Sequence, residues 1–219
     1  MPLISESDRQ YLIEHFGAMK RPVRISLTTD DECQTCSDTR AILDELADLS
    51  DMIQLEVIDR TANSAAFDAV GVTGAPVIEL TDVEGANETF GIRYLGIPSG
   101  YEFGSLVEDL MMIGGGESGL SNETKRALDG LEAPVHMRVF VTPTCPYCPQ
   151  AVRLAHQMAF YSPNVRADMV EAMEFPEMSQ KYGVMGVPRT VINETVHIEG
   201  AVPEQALLPK VLESVAMPA

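Results

Sequence analysis

Apolar residues along the chain follow two spacings. Short apolar runs, typical of buried strands, occur at Val23–Thr29, Ile53–Asp59 and Val77–Leu80. In other segments, beginning with Ser7–Met19, apolar residues recur every three or four positions, as they do on one face of a helix. A second predicted helix has the apolar face Ala41, Ile42, Leu46 and Leu49. The pattern predicts strands that alternate with helices, and therefore an α/β protein.

The second half of the chain repeats this order of elements. Its predicted strands are Val135–Thr142, Val165–Glu171 and Thr190–Asn193. Its predicted helices are Ser121–Leu131 and a segment with the apolar face Ala151, Val152, Leu154, Ala155 and Met158. Each half also has a helical stretch that ends at Gly71 or Gly183, and a last strand before a glycine–proline turn, Gly96–Gly100 or Gly200–Pro203. A closing helix follows each turn, so both halves have the order α-β-α-β-α-β-β-α.

A fixed offset of 112 residues relates the two halves. This offset carries Cys33 onto Cys145, Cys36 onto Cys148, and "GVTGAP" (Gly71–Pro76) onto "GVMGVP" (Gly183–Pro188). A register held over this distance predicts an internal duplication. We expect a first unit over residues 1–116 and a second over residues 117–219, joined within the glycine-rich run Gly114–Gly119.

Composition and charge narrow the class of protein. The 219 residues carry a net charge of −18, which repels phosphates and argues against a nucleic-acid partner. The N-terminal "MPLISESDRQYLIEH" lacks the basic and apolar regions of a signal peptide, and no apolar run reaches the roughly 18 residues that span a bilayer. We therefore expect a soluble cytoplasmic protein without a membrane partner. In a reducing cytoplasm, paired cysteines are more often catalytic or metal-binding than structural.

The four cysteines form two C-x-x-C pairs, each at a predicted strand-to-helix turn. Unpaired backbone N–H groups at a helix N-terminus favour a thiolate, the form that attacks disulfides. We expect Cys33 and Cys145 to attack, and Cys36 and Cys148 to resolve the mixed disulfide. The acidic run Asp30–Glu32 before Cys33 opposes thiolate formation, so Cys145 should have the lower pKa and its pair should dominate.

Residues near each pair are candidates for substrate binding. Pro76 and Pro188 each begin a predicted strand. A cis peptide bond after Ala75 or Val187 would bring a strand-like backbone edge beside the disulfide, where it could hold an extended substrate; the alternative is an ordinary trans proline. Within the second motif, Pro146 and Tyr147 lie between the cysteines, and Tyr147 could form an aromatic wall for a substrate.

These features resemble a known family. The chain is similar to the archaeal-type protein disulfide oxidoreductases, which are glutaredoxin-like and contain two tandem thioredoxin-fold units. The matching stretches are "FVTPTCPYCPQAVRLAH" (Phe140–His156), "DMVEAMEFPE" (Asp168–Glu177), "YGVMGVPRTVI" (Tyr182–Ile192) and "GIRYLGIPSGYEF" (Gly91–Phe103). The resemblance implies a central mixed four-stranded sheet flanked by helices in each unit, and cis bonds before Pro76 and Pro188.

The resemblance also implies an activity. It predicts an enzyme that reduces, oxidises or isomerises protein disulfides through its own redox-active cysteines, without a bound cofactor or metal. It further implies a thioredoxin-reductase-like flavoprotein as electron donor and clients such as peroxiredoxins. Leu27 and Val139 occupy the positions of the buried aspartate of thioredoxins, which puts a thioredoxin-style proton relay in doubt. Arg189 is a candidate for substrate contact, and a surface arginine is the alternative.

Two other functions fit the cysteines less well. All four could bind one zinc ion, but 108 residues separate Cys36 from Cys145, far more than the usual spacing of about 15 to 20. A non-catalytic thioredoxin-fold adaptor would leave two intact C-x-x-C motifs without a purpose. Among other polar residues, we expect His156 on a helix surface, and Asp59 and Glu171 as caps of the helices that follow them.

Overall fold

The computed structural model describes residues 3–60, 72–83 and 89–216. The described helices are α1 (Glu6–Phe16), α2 (Cys36–Ala47), α3 (Tyr101–Gly115), α4 (Asn122–Asp129), α5 (Cys148–Tyr161), α6 (Pro176–Lys181) and α7 (Glu204–Ala216). The strands are β1 (Val23–Thr29), β2 (Ile53–Asp59), β3 (Val77–Asp82), β4 (Thr89–Leu95), β5 (Val135–Val141), β6 (Val165–Glu171), β7 (Arg189–Ile192) and β8 (Val196–Glu199). Within the described ranges, no helix is both long and apolar enough to cross a bilayer.

All eight strands belong to one mixed sheet in the order β2-β1-β3-β4-β6-β5-β7-β8. In the first half, β1 pairs in parallel with β2 and antiparallel with β3, and β3 pairs antiparallel with β4. The second half repeats this arrangement with β5, β6, β7 and β8. The halves join where β4 pairs in parallel with β6. The mixed α/β fold is therefore confirmed, and its two four-stranded sections form a single continuous sheet.

The strand directions place both cysteine pairs at one edge of this sheet. Strands β1, β4, β5 and β6 all run in the same direction. The motif with Cys33 follows the carboxyl end of β1, and the motif with Cys145 follows that of β5. Four strand steps separate β1 from β5, which corresponds to roughly 20 Å at about 4.8 Å per step. The pairs therefore lie too far apart for direct exchange with each other or for joint binding of one zinc ion.

The hydrophobic core extends across the joint between the halves. Helix α5 of the second half packs on α3 of the first half and also contacts β4 and β6. Buried side chains of both halves belong to one cluster, among them Leu27 of β1, Leu106 of α3 and Val152 of α5. Burial of this shared apolar surface stabilises both halves at once.

A buried charged group also crosses the joint. Arg93 on β4 donates from Nε and Nη2 to the two carboxylate oxygens of Asp168 on β6, at 2.7 and 2.8 Å. His136 on β5 lies 2.5 Å from the same carboxylate. Burial alone would raise the pKa of Asp168, but hydrogen bonds from His136 and Arg93 outweigh it and hold this pKa well below its usual value. Asp168 is therefore a buried, paired carboxylate.

Most of the predicted element bounds agree with the structure. Strands β1, β2 and β6 match the predicted ranges residue for residue. Helix α1 begins earlier than predicted because Ser5 caps it, accepting a hydrogen bond from the Asp8 N–H. The helical stretch predicted before Gly71 lies outside the described residues, so the capping role expected of Asp59 stays a prediction.

The glycine-rich run Gly114–Gly119 contains the end of a helix. Helix α3 continues through Gly114 and ends at Gly115, and the C-cap residue Gly116 adopts the left-handed conformation. The carbonyl of Gly114 accepts hydrogen bonds from the backbone N–H groups of Lys20 and Arg21, so tertiary contacts support this end of the helix. The boundary between residues 116 and 117 stays a prediction.

Candidate functional site

Each cysteine pair forms a disulfide at the start of a helix. Cys33 is bonded to Cys36 and Cys145 to Cys148, with Cα atoms 5.5 Å apart in both pairs. Helices α2 and α5 begin at the second cysteine of each pair, three residues later than a start at the first cysteine. Pro149 in the first turn of α5 suits a position where no backbone N–H is needed. The first cysteines thus lie three residues before the first residue of a helix, near its positive end.

The four sulfurs differ in exposure. Cys36 and Cys148 are buried, as suits thiols that attack only from within. Cys145 is also buried, with the same 7% exposure as Cys36, whereas Cys33 is half-buried and lines an open cleft of about 540 Å³. Access to the first pair therefore exceeds access to the second, a difference that sequence reasoning did not predict.

Both candidate prolines follow cis peptide bonds, after Ala75 and Val187. Strand pairing places β3, which starts just after Pro76, beside the end of β1, with Thr28 opposite Val77. It places β7, which starts just after Pro188, beside the end of β5. Each proline thus lies at the same edge of the sheet as the disulfide of its own half.

The other candidates for substrate binding are exposed or half-buried. Ala75 lines the cleft with Cys33, and Val187 is half-buried. Pro146 is exposed, and Tyr147 is 68% exposed at the N-cap of α5. Arg189 donates to Glu199 at 2.7 Å and contacts His197, so this guanidinium is engaged by the neighbouring strand β8.

Leu27 and Val139, which occupy the positions of the thioredoxin aspartate, are fully buried, as apolar residues in strands are expected to be.

The chain in or just before each C-x-x-C motif is hydrogen-bonded to the other half of the chain. Thr35, between the first two cysteines, donates its hydroxyl to Glu174 of the second half. Two residues before the second motif, the carbonyl of Pro143 accepts a hydrogen bond of 3.1 Å from the Tyr101 N–H of the first half. Only glycine fits at position 100, because a Cβ there would lie 2.2 Å from the Pro143 oxygen. Sequence reasoning missed these contacts.

A buried polar network lies between α3 and α5. Asp109 of α3 accepts a hydrogen bond of 2.5 Å from Tyr94 and, through the same oxygen, contacts Nδ1 of His156 at 2.5 Å. His156 is fully buried, so its expected position on a helix surface is wrong: α3 of the first half covers it. Glu171 is also buried and accepts from the N–H groups of Met173 and Glu174, which caps the turn before α6 rather than the helix itself.

Glu102 in the first turn of α3 is the most perturbed carboxyl in this region. Burial raises its pKa to about 7, against the opposing effects of a hydrogen bond from Ser105 and of nearby His156. Because the pKa in the folded state exceeds that in the unfolded state, the protonated form favours folding. The stability that Glu102 contributes in this way is complete below about pH 4.5 and is lost as the pH rises through 7.

We therefore expect Glu102→Gln to raise the free energy of unfolding more at high pH than at low pH. The gain relative to the natural chain should be about 2 kcal/mol larger at pH 8 than at pH 5, since one pKa unit corresponds to about 1.4 kcal/mol. Urea unfolding at both pH values measures it. Glu108→Gln, at a half-exposed position on the same helix, is the matched control, and an effect of Glu102→Gln that does not depend on pH would contradict the assignment.

Known proteins share this architecture. A family model described as a thioredoxin domain matches residues 135–213. A protein disulfide oxidoreductase from Aeropyrum pernix k1 superimposes with a TM-score of 0.88 and 33% identity, covering 97% of this chain and 94% of that one. The NTD_N/C domain of alkylhydroperoxide reductase AhpF from Enterococcus faecalis gives a TM-score of 0.87 and 28% identity, covering 95% of this chain and 99% of that one.

Curated relatives include an alkyl hydroperoxide reductase subunit from Pseudomonas putida, which is 27% identical over 93% of this chain. The match covers 36% of that protein, and 34% of its counterpart from Pseudomonas aeruginosa. The chain thus spans about a third of the length of these relatives.

Proposed function

We propose that this chain, which belongs to the family of protein disulfide oxidoreductases with two thioredoxin-fold units, exchanges disulfides with protein clients through both of its cysteine pairs. The observation that carries the proposal is the geometry of the pairs. Each disulfide lies at a strand-to-helix turn, at the same sheet edge as a cis-proline. General thiol–disulfide redox chemistry is common to the relatives, and the reduction, oxidation and isomerisation of protein disulfides is the specific activity that we propose.

Reduction of a client proceeds in two exchanges. The Cys145 thiolate attacks one sulfur of the client disulfide, forms a mixed disulfide, and expels the other client sulfur as a thiolate that takes up a proton. The Cys148 thiol loses its proton and attacks Cys145, which closes the 145–148 disulfide and releases the second client thiolate. The client gains two electrons and two protons, and the chain loses them. Oxidation of a client is the reverse sequence, and Cys33 and Cys36 perform the same steps in the first pair.

The two pairs differ in electrostatics. Asp30, Asp31 and Glu32 precede Cys33, and Glu174 is hydrogen-bonded within its loop, so negative charge opposes the Cys33 thiolate. Thr142, Pro143 and Thr144 before Cys145 are uncharged. We therefore propose Cys145 and Cys148 as the dominant pair, despite the smaller exposure of Cys145.

The relatives and the composition support a proposed electron donor, client and location in the cell. A thioredoxin-reductase-like flavoprotein is the proposed electron donor, and a peroxiredoxin is a proposed client. The curated relatives support this pairing, because they are named as a subunit of alkyl hydroperoxide reductase. A cytoplasmic location suits cysteines that are all used in C-x-x-C pairs. The net charge of −18 argues against nucleic-acid clients.

Equilibrium redox titration tests the proposal. Cys33→Ser/Cys36→Ser and Cys145→Ser/Cys148→Ser variants are equilibrated in glutathione buffers of graded potential, and their thiols are alkylated and counted by mass spectrometry. Each variant should convert reversibly between a dithiol and a disulfide in a two-electron step. Cysteines that stay reduced at every buffer potential would contradict the proposal.

A further inference from the structure

A groove beside the first cysteine pair is built by both halves of the chain. The cleft of about 540 Å³ next to Cys33 is bounded on one side by residues 32–35 and Ala75 of the first half, and on the other by Met173, Glu174 and Pro176 of the second half. A second cleft of about 310 Å³ shares Glu174 and Pro176 with it and continues along Thr73 and Gly74. The two clefts therefore form one groove that passes the Cys33–Cys36 disulfide and the residue before Pro76.

The second wall of this groove is held in place. Glu174 accepts the Thr35 hydroxyl on one carboxylate oxygen and the Ile97 N–H, at 2.8 Å, on the other. Buried Phe175 lies against Gly74 in the opposite wall, where an added Cβ would be 3.1 Å from its ring. Residues from both halves thus fix the groove width before a client binds, which reduces the entropy cost of binding.

The chemistry of the lining residues indicates what the groove accepts. Three carboxylates line it, those of Glu32, Glu174 and Glu177, and none of its described lining residues is basic. Glu32 and Glu177 are exposed, and their side chains form no hydrogen bond or ion pair with a described residue. Met173 adds an apolar contact at 78% exposure. An extended protein segment with basic and apolar residues complements this surface, whereas anionic glutathione does not.

We propose that this groove is the client-binding site of the first cysteine pair, and that it selects extended protein segments with lysine or arginine next to the reactive cysteine. The proposal rests on the proposed disulfide exchange and adds a substrate class to one of the two pairs. The same carboxylates that oppose the free Cys33 thiolate attract the cationic client. A client lysine near Cys33 offsets their charge, so the thiolate forms most readily in the encounter complex. The exchange then follows the two steps given for the other pair.

Kinetics of the isolated first pair test this selectivity. The Cys145→Ser/Cys148→Ser variant is reduced and mixed with model peptides whose single cysteine is disulfide-bonded to thionitrobenzoate. The flanking residues are lysine in one peptide and glutamate in the other. The lysine peptide should release thionitrobenzoate roughly ten-fold faster at low ionic strength, and added salt should reduce this ratio. Equal rates for the two peptides would overturn the proposal.

Two sets of control variants distinguish the effect of the groove carboxylates on the peptide preference from the effect of the net charge of the chain. Glu32→Gln/Glu177→Gln should cut the lysine preference about three-fold, whereas Glu132→Gln, an exposed glutamate outside the groove, should leave it unchanged. An equal effect of both changes would overturn a local role of the groove. In the Cys33→Ser/Cys36→Ser background, Glu32→Gln/Glu177→Gln should leave the peptide preference of the remaining pair unchanged.

The same assay distinguishes failure of this inference from failure of the proposed function. If the first pair reacts with neither peptide while the second pair reacts with both, the groove is not a client site and the proposed function stands. If neither pair reacts with either peptide, the proposed function fails together with the groove.

Discussion

Arg93→Ala is expected to lower the free energy of unfolding by about 3 to 5 kcal/mol, because it leaves the buried carboxylate of Asp168 without its main partner. Asp168 is 1% exposed and Arg93 is 2% exposed, so the lost hydrogen bonds belong to a carboxylate that the fold keeps away from bulk water. The pair also joins β4 to β6, the only strand pairing between the halves in the described sheet. The variant should therefore weaken the pairing of β4 with β6 as well as the local packing.

Urea denaturation at neutral pH measures this effect. The matched control is Arg153→Ala, which removes an exposed ion pair with Glu108 that also links α5 to α3 across the joint. Exposed pairs contribute about 0 to 1 kcal/mol, so this control should change stability little. A loss from Arg93→Ala no larger than that of the control would contradict the role assigned to the buried pair.

Acidification gives the same pair a second signature. The pKa of Asp168 is lower in the folded state than in the unfolded state. The ionised carboxylate therefore contributes fully to the free energy of unfolding above the unfolded pKa of about 4, and this contribution is lost as the pH falls further. The difference between the natural chain and Arg93→Ala should therefore shrink below about pH 4.

The sequence predicted the elements of each half well because its signals are local. Apolar runs locate β1, β2 and β6, and the repeated motif locates both cysteine pairs. The joint between the halves could not be predicted in this way. Pairing of β4 with β6 is a contact between edge strands with no turn between them, and such pairing leaves no local sequence signature.

The burial of several polar residues also could not be predicted from the sequence. His156 has the sequence environment of a surface helix residue, and only the packing of α3 against α5 shows that it is buried and that Asp109 contacts its Nδ1. Arg93 and Asp168 likewise lie far apart in sequence, and either one alone resembles an exposed strand residue. Glu174 lies just before α6, and its bond to Thr35 depends on the relative placement of the two halves. Long-range contacts of this kind decide burial, and composition does not reveal them.

The largest expected effect on activity concerns the second cysteine pair. A difference of one pKa unit between attacking thiols changes the thiolate fraction about ten-fold near neutral pH. Acidic neighbours disfavour the Cys33 thiolate, whereas Cys145 has uncharged neighbours before it and a helix start after it. We therefore expect Cys145→Ser/Cys148→Ser to retain about a tenth of the natural turnover with an uncharged client, and Cys33→Ser/Cys36→Ser to retain most of it.

The rate of insulin reduction by dithiothreitol tests the central claim, that the two C-x-x-C pairs carry out disulfide exchange on proteins. The natural chain is compared with both pair variants and with the variant in which all four cysteines are serine. The account predicts clear acceleration by the natural chain, a smaller one without Cys145 and Cys148, and only the uncatalysed rate for the four-serine variant. Acceleration by the four-serine variant equal to that of the natural chain would contradict it.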